Sequence, residues 1–387
     1  MSGIYIHIPF CRQACHYCNF HFATSLRYKD DMLRAIKHEI ALRHTYFDYL
    51  PEQAAANRAK PLIETVYMGG GTPSLLNKDE LLAIFDQLQH YFDIAPQAEI
   101  TLEANPDDLT LDYLTQLRQT PINRLSIGIQ SFFEGDLTLM NRAHNAQQAI
   151  QCVQYARDLG YDNLTIDLIY GMPTPDSDYN WQQNLAQIWA LNIPHFSAYC
   201  LTVEPKTRLY QQINKGEVAR QNDEQAAAQF EQLIAQSQAM GYWHYEISNF
   251  CLPNYYARHN TAYWQGSPYL GIGPSAHSFN GTARQWNIAN NRQYIKAIEQ
   301  QKLPLETETL SLKQQYNEYI MTSLRTMWGT DLQVVRTRFG SELQQYLLNG
   351  SKRYIANGLM QQSTQALLLS NKGKFVADGI ISDLMAV

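Results

Sequence analysis

Six short apolar runs, separated by stretches of helical spacing, constrain the fold of this chain more than anything else in it. The runs cover residues 4–8, 63–68, 99–102, 124–129, 164–166 and 195–200. Between them, Met32, Ile36 and Ile40 recur every four residues within 28–47. Leu81, Leu82, Phe85 and Leu88 do the same within a stretch that starts at 77 or 78 and ends at 92, and residues 147–159 and 181–191 fill later gaps. Strands alternating with amphipathic helices predict parallel βα units and an α/β fold. Six units fall short of the eight that close a full barrel, so the expectation is an open, partial (β/α)6 barrel.

Chemistry-bearing residues fall at one end of these runs. Cys11 follows the first, Gly69-Gly70-Gly71-Thr72-Pro73 the second, and Glu103, Gln130 and Asp167 the next three. Any one of them is explained by a solvated loop or a helix cap. Together they occupy the C-terminal face of a parallel barrel, where sites are built from loops. The glycines permit positive φ and leave backbone groups free for a ligand. They lack the trailing Lys of a P-loop and the spacing of a dinucleotide fingerprint.

Cys11, Cys15 and Cys18 share the first loop, directly after Pro9 ends the opening strand. Thiolates at this spacing suit an iron–sulfur cluster or zinc. Zinc would be completed by His16 or His21, and three unligated buried thiols are a further reading. Three cysteines rather than four would leave one iron of a cubane open. Six cysteines in 387 residues, three of them clustered, do not form a secreted disulfide framework. A net charge of -6 gives no electrostatic case for nucleic acid or an anionic membrane. No run of eighteen apolar residues spans a bilayer, and the first strand leaves no room for a signal peptide. A cytoplasmic setting is expected.

Residues 51–61 read as a polar insertion. Beyond residue 290 the pattern turns helical, over 292–301, 312–328, 331–339 and 342–349, before a strand at 365–369 and a last segment at 375–384. The expected division is a barrel over 1–290 and a mainly helical, winged-helix-like domain over 291–387. Lys352 and Arg353 are too few cations for that domain to read DNA.

The run from Tyr5 to Cys18, with Gly69–Pro73, Leu125–Phe132, Asp167–Pro173 and Gly271–His277, resembles the radical S-adenosylmethionine (SAM) superfamily along essentially the whole chain. More narrowly it resembles the branch that contains oxygen-independent coproporphyrinogen III dehydrogenase (HemN) and the heme chaperones (HemW). The resemblance implies a [4Fe-4S] cluster on Cys11, Cys15 and Cys18, with SAM on the open iron. It places Tyr5, Gly70, Gly71, Thr72, Glu103, Gln130, Arg142 and Asp167 around SAM. Arg142 suits a carboxylate and Asp167 the ribose hydroxyls. Phe20 joins the cofactor-binding set at the place where the dehydrogenase carries a fourth cysteine. That replacement, and the absence of the dehydrogenase's long N-terminal segment, point to the chaperone branch. Arg258-His259-Asn260-Thr261-Ala262-Tyr263-Trp264 resembles the chaperones' His-Asn-x-x-Tyr-Trp block. It implies heme ligation by His259 on a loop at the barrel mouth, with Tyr263 and Trp264 against the porphyrin; His277 and Cys251 are rival ligands. The implied activity is heme binding and transfer to an acceptor protein. The alternative is oxygen-independent oxidation of coproporphyrinogen III.

Overall fold

The computed structural model describes residues 2–50 and 60–386; the polar insertion expected over 51–61 lies, up to residue 59, outside the described residues. All six expected strands form. They are β1 (Gly3–Ile8), β2 (Leu62–Gly70), β3 (Asp93–Ala104), β4 (Arg124–Gln130), β5 (Leu164–Tyr170) and β6 (His195–Cys200). Each pairs in parallel with the next. Helices fill the crossovers: α1 (Lys29–Leu42), α2 (Lys78–Tyr91), α3 (Leu111–Leu117), α4 (Glu134–Leu139), α5 (Ala146–Asp158) and α6 (Ser177–Ala190). Capping boxes set two of their starts, Asn77 with Glu80 for α2 and Asn145 with Gln148 for α5. The first helix stops at Leu42, five residues short of the expected end, and turns follow it.

The two-residue period of the strands sorts outside from inside. Ile4, Ile6, Val66, Met68, Leu102, Leu125, Ile127 and Ile166 join one core with Met32, Ile36 and Ile40 of α1 and Leu81 and Leu88 of α2. The alternate positions are polar or aromatic: Tyr5 and His7, Thr65 and Tyr67, Glu99 and Glu103, Thr165 and Asp167, His195 and Ser197. Several of them bond one another between neighbouring strands, as Tyr67 of β2 does Glu103 of β3 and Thr165 of β5 does His195 of β6. The barrel interior is therefore a polar, hydrogen-bonded column inside an apolar shell.

Two further elements, α7 (Arg208–Asn214) and α8 (Asp223–Ala239), precede strands that the sequence reading missed. On one side β7 (Trp243–His244) and β8 (Asn249–Cys251) extend the sheet antiparallel from β6. Helix α9 (Arg258–Trp264) follows. On the other side β9 (Tyr269–Ile272) adds parallel to β1. Then β10 (His277–Phe279), β11 (Ala283–Asn287) and β12 (Leu305–Thr309) continue antiparallel. The result is one twelve-stranded sheet. These strands span two to five residues each, too short for a periodic signal. Because β1 and β6 each have a neighbour on both sides, they do not pair with each other, and the barrel stays open.

Helix α10 (Asn291–Glu299) puts Tyr294, Ile295 and Ile298 into the first core, although it lies beyond the expected division at residue 290. A second core, from Tyr316 to Leu384, is built by α11 (Leu312–Ser323), α12 (Leu332–Phe339), α13 (Ser341–Ala356) and α15 (Ala377–Leu384), with α14 (Asn371–Phe375) just before the last of them. Helix α11 stops at Ser323, short of the expected 328. Strands β13 (Thr330–Asp331), β14 (Met360–Gln362) and β15 (Ala366–Leu369) form a small sheet with β15 in the middle. Among the described residues no helix is long and apolar enough to cross a membrane.

Candidate functional site

The cysteine loop is pinned at its neck and at its middle. Cys11 N–H donates to Ala23 O at 3.1 Å and Ala23 N–H to Pro9 O at 2.9 Å, which closes the neck. His16 N–H donates to Met140 O at 3.0 Å, and Asn141 Nδ2 to Ala14 O at 2.8 Å. The turn after α4 thus carries the middle of the loop. Pinned in this way, Cys11, Cys15 and Cys18 are half-buried on the wall of a cavity of about 460 Å³ at the C-terminal ends of the strands.

The same cavity is lined by Phe20, Gly70, Gly71, Thr72, Glu103, Gln130, Arg142 and Asp167. Gly70 has φ +109°, and a Cβ there would strike the His7 ring; a Cβ on Gly71 would lie 2.5 Å from Phe10 O. Both positions need glycine. Gly71 N–H donates to Ile8 O at 2.9 Å, which draws the end of β2 against the cysteine loop. Arg142 Nη1 donates to Cys15 Sγ at 3.2 Å, and its Nη2 to Asn105 Oδ1 at 2.7 Å and Gly128 O at 2.6 Å. Its Nε is buried without a partner among the described residues. Glu103 accepts from Tyr67 OH at 2.8 Å and from Gly70 N–H at 3.0 Å.

Burial pushes Glu103 up to about 7, helped by the Asp167 charge and opposed by the Tyr67 and Gly70 bonds. Burial also pushes Asp167 up to about 6, against Ser197, Arg124 and Arg142. Two weakly acidic carboxyls on the cavity floor suit neutral or cationic polar groups, hydroxyls and amines among them. Burial raises the Cys11 thiol to about 11, and a bound metal would have to displace that proton. Among the described residues no group of three His, Cys, Asp or Glu side chains is gathered as a single ion would need; a cubane takes one thiolate per iron and asks for a wider set. The three thiols, the glycine-edged backbone and the unpartnered Arg142 donor fit a cluster with an anionic ligand beside it.

Other expected residues lie elsewhere. Tyr5 sits one layer beneath the cavity, its ring stacked on Tyr67 at 6.1 Å and its hydroxyl 3.1 Å from His7 Nδ1. His259 is not on a loop at the mouth. It lies on α9, 1% exposed, at the opposite end of the barrel. The cause is Glu99, whose carboxylate accepts the Arg258 and His259 N–H groups at 3.1 and 3.0 Å and so starts the helix there. Both ring nitrogens are engaged, Nδ1 with Thr65 Oγ1 at 2.8 Å and Nε2 with Tyr263 OH at 2.6 Å. The ring stacks on Tyr67 at 5.2 Å, and burial with the Arg124 charge lowers its pKa to about 3. Tyr263 and Trp264 are half-buried on the same helix, Cys251 is fully buried on β8, and His277 is exposed on β10.

Asn105, Tyr199, Cys200 and Glu204 also line the cavity and were not foreseen. Cys200 ends β6 as Asp167 and Glu103 lie near the ends of theirs, and applying the strand-end rule to the sixth run would have flagged it. Its Sγ accepts from Gln221 Nε2 at 3.2 Å.

Residues 5–180 match the family model of the radical SAM superfamily, and residues 310–376 match the HemN C-terminal domain. The heme chaperone HemW of Mycobacterium tuberculosis is 31% identical over 388 residues, covering 99% of this chain and 94% of that protein. The heme chaperone HemW of Bacillus subtilis is 30% identical over 383 residues, covering 98% of each. Among solved structures, coproporphyrinogen III oxidase (HemN) from Escherichia coli, a radical SAM enzyme, superposes with a TM-score of 0.84. It covers 100% of this chain and 90% of that chain at 24% identity, a likeness of fold.

Proposed function

The chain belongs to the radical SAM superfamily and, within it, to the family of the relatives named heme chaperone HemW; from that membership we propose that it binds a [4Fe-4S] cluster, SAM and heme, and hands heme to an acceptor protein. The observation that carries this reading is the convergence of three thiols, a glycine-edged strand end, Arg142 and two carboxyls in one cavity. Cys11, Cys15 and Cys18 would hold the cluster, which when bound supplies an electron and an iron open to SAM. Gly70, Gly71 and Thr72 would lie against SAM through their backbone, with Arg142 on its carboxylate and Asp167 and Glu103 on hydroxyl and amino groups. Gln130 would close the wall between them. A reducing compartment keeps the thiols available, so we place the protein in the cytoplasm. Heme as the cargo is supported by the relatives' names and by Phe20, 71% exposed, where the dehydrogenase pattern has a fourth cysteine.

The alternative, oxygen-independent coproporphyrinogen III oxidation, rests on the shared HemN fold and C-terminal domain. Anaerobic reconstitution, followed by titration with SAM and with heme, tests the main reading. It expects cluster absorption perturbed by SAM, a heme Soret band, and no conversion of coproporphyrinogen III with SAM and reductant. Turnover to protoporphyrinogen would replace the chaperone reading with the alternative.

A further inference from the structure

We infer that heme docks on the β10–β11 hairpin, with the imidazole of His277 as the axial ligand of its iron and Trp286 against the porphyrin. The inference rests on the proposed heme-binding function and assigns its site. Of the three rival ligands, Cys251 is 0% exposed on β8, hemmed between β6 and β7. His259 is 1% exposed with both nitrogens engaged, so ligation there would require α9 to leave the barrel and strand the hydroxyls of Thr65 and Tyr263. His277 is exposed, and its ring nitrogens make no hydrogen bond among the described residues.

The hairpin gives this imidazole the surroundings a porphyrin needs. His277 is paired directly with Trp286 across the two strands, and their rings are 6.2 Å apart at 30°. Phe279 pairs with Arg284 on the same face, and Tyr269 lies 6.4 Å beyond Phe279. Ser278 and Gln285 point to the other face, where they bond Gly271 and Arg43. One imidazole thus stands free at the end of a row of rings, while the opposite face is committed to packing on α1. Iron requires the neutral imidazole, and desolvation together with the nearby Arg284 charge lowers the pKa of His277. Glu306 and Glu308 continue this face on β12, and Glu318 of α11 pairs with Arg284, so carboxylates border the hairpin on that side.

The test is a heme titration of the full-length protein, followed through the Soret band, with circular dichroism confirming that each variant is folded. His277→Ala should weaken heme binding by roughly tenfold or more, about 1.4 kcal/mol, and shift the band. Free imidazole should restore the band, an effect that a merely structural role would not produce. His259→Ala, where it folds, should keep the wild-type band. An unchanged band and affinity in His277→Ala, or loss of heme from folded His259→Ala, overturns the assignment while leaving the heme-binding function standing. Absence of any Soret band in the wild-type protein overturns the function itself.

Discussion

Gly71→Ala offers a sharp test of how the cavity is assembled. A methyl group at this position would lie 2.5 Å from Phe10 O, 2.8 Å from Phe10 N and 2.9 Å from Ile8 O. All three atoms are backbone, so no rotamer change relieves the clash. Either β2 retreats or the Pro9–Cys11 segment does, and both moves stretch the 2.9 Å bond from Gly71 N–H to Ile8 O. Overpacking of this kind costs about 1–3 kcal/mol, and the weakened hydrogen bond adds about 1 kcal/mol. The displaced segment carries Cys11, so the variant should also incorporate less iron. Denaturant unfolding of the apo-protein measures the first effect, and iron and sulfide content after anaerobic reconstitution measures the second. Gly135→Ala is the control: on α4, with nothing within 4 Å of an added Cβ, it should gain up to about 1 kcal/mol. A Gly71→Ala protein as stable as wild type and fully loaded with iron would refute the claim that this backbone approach positions the cysteine loop.

Cys11→Ala, Cys15→Ala and Cys18→Ala should each abolish the broad cluster absorption, whereas Cys152→Ala, 1% exposed on α5 and away from the cavity, should retain it; equal loss in Cys152→Ala would count against the ligand set. Glu103 is raised from 4.5 to about 7 by burial, so the folded apo-protein holds this proton more tightly than the unfolded chain does. That stabilisation is complete below about pH 4.5 and lost as pH rises through about 7. The stability of Glu103→Gln relative to wild type should therefore climb across this window and level off above it, and a flat difference would sink the argument. His259→Ala leaves the Thr65 and Tyr263 hydroxyls unpartnered in the barrel and should cost about 2–4 kcal/mol in denaturant unfolding; a cost near zero would mean that the buried ring is not held between Thr65 and Tyr263.

The sequence by itself determined the barrel strands and the mouth of the site. Alternation of apolar and polar residues in runs such as Ile4–Ile8 follows from the two-residue period of a strand, and that period needs no partner to be visible. For the same reason Cys11, Gly70, Glu103, Gln130 and Asp167 could be placed on one face, because parallel connections put every strand's C-terminal end on the same side. Only the tertiary structure decided what lies at the other end and along the edges. Strands β8 and β9 form on the backbone groups that β6 and β1 leave open, and β7 and β10–β12, two to five residues each, extend the sheet from them, without any pattern of their own. His259 shows the limit most clearly. Its neighbours read as a porphyrin-binding loop, but Glu99, 160 residues away, turns them into a buried helix. Long-range caps of that kind leave no local trace. His277 reads in the sequence only as a rival to His259, and that its ring stands exposed on β10 without a hydrogen bond among the described residues is a property of the folded hairpin.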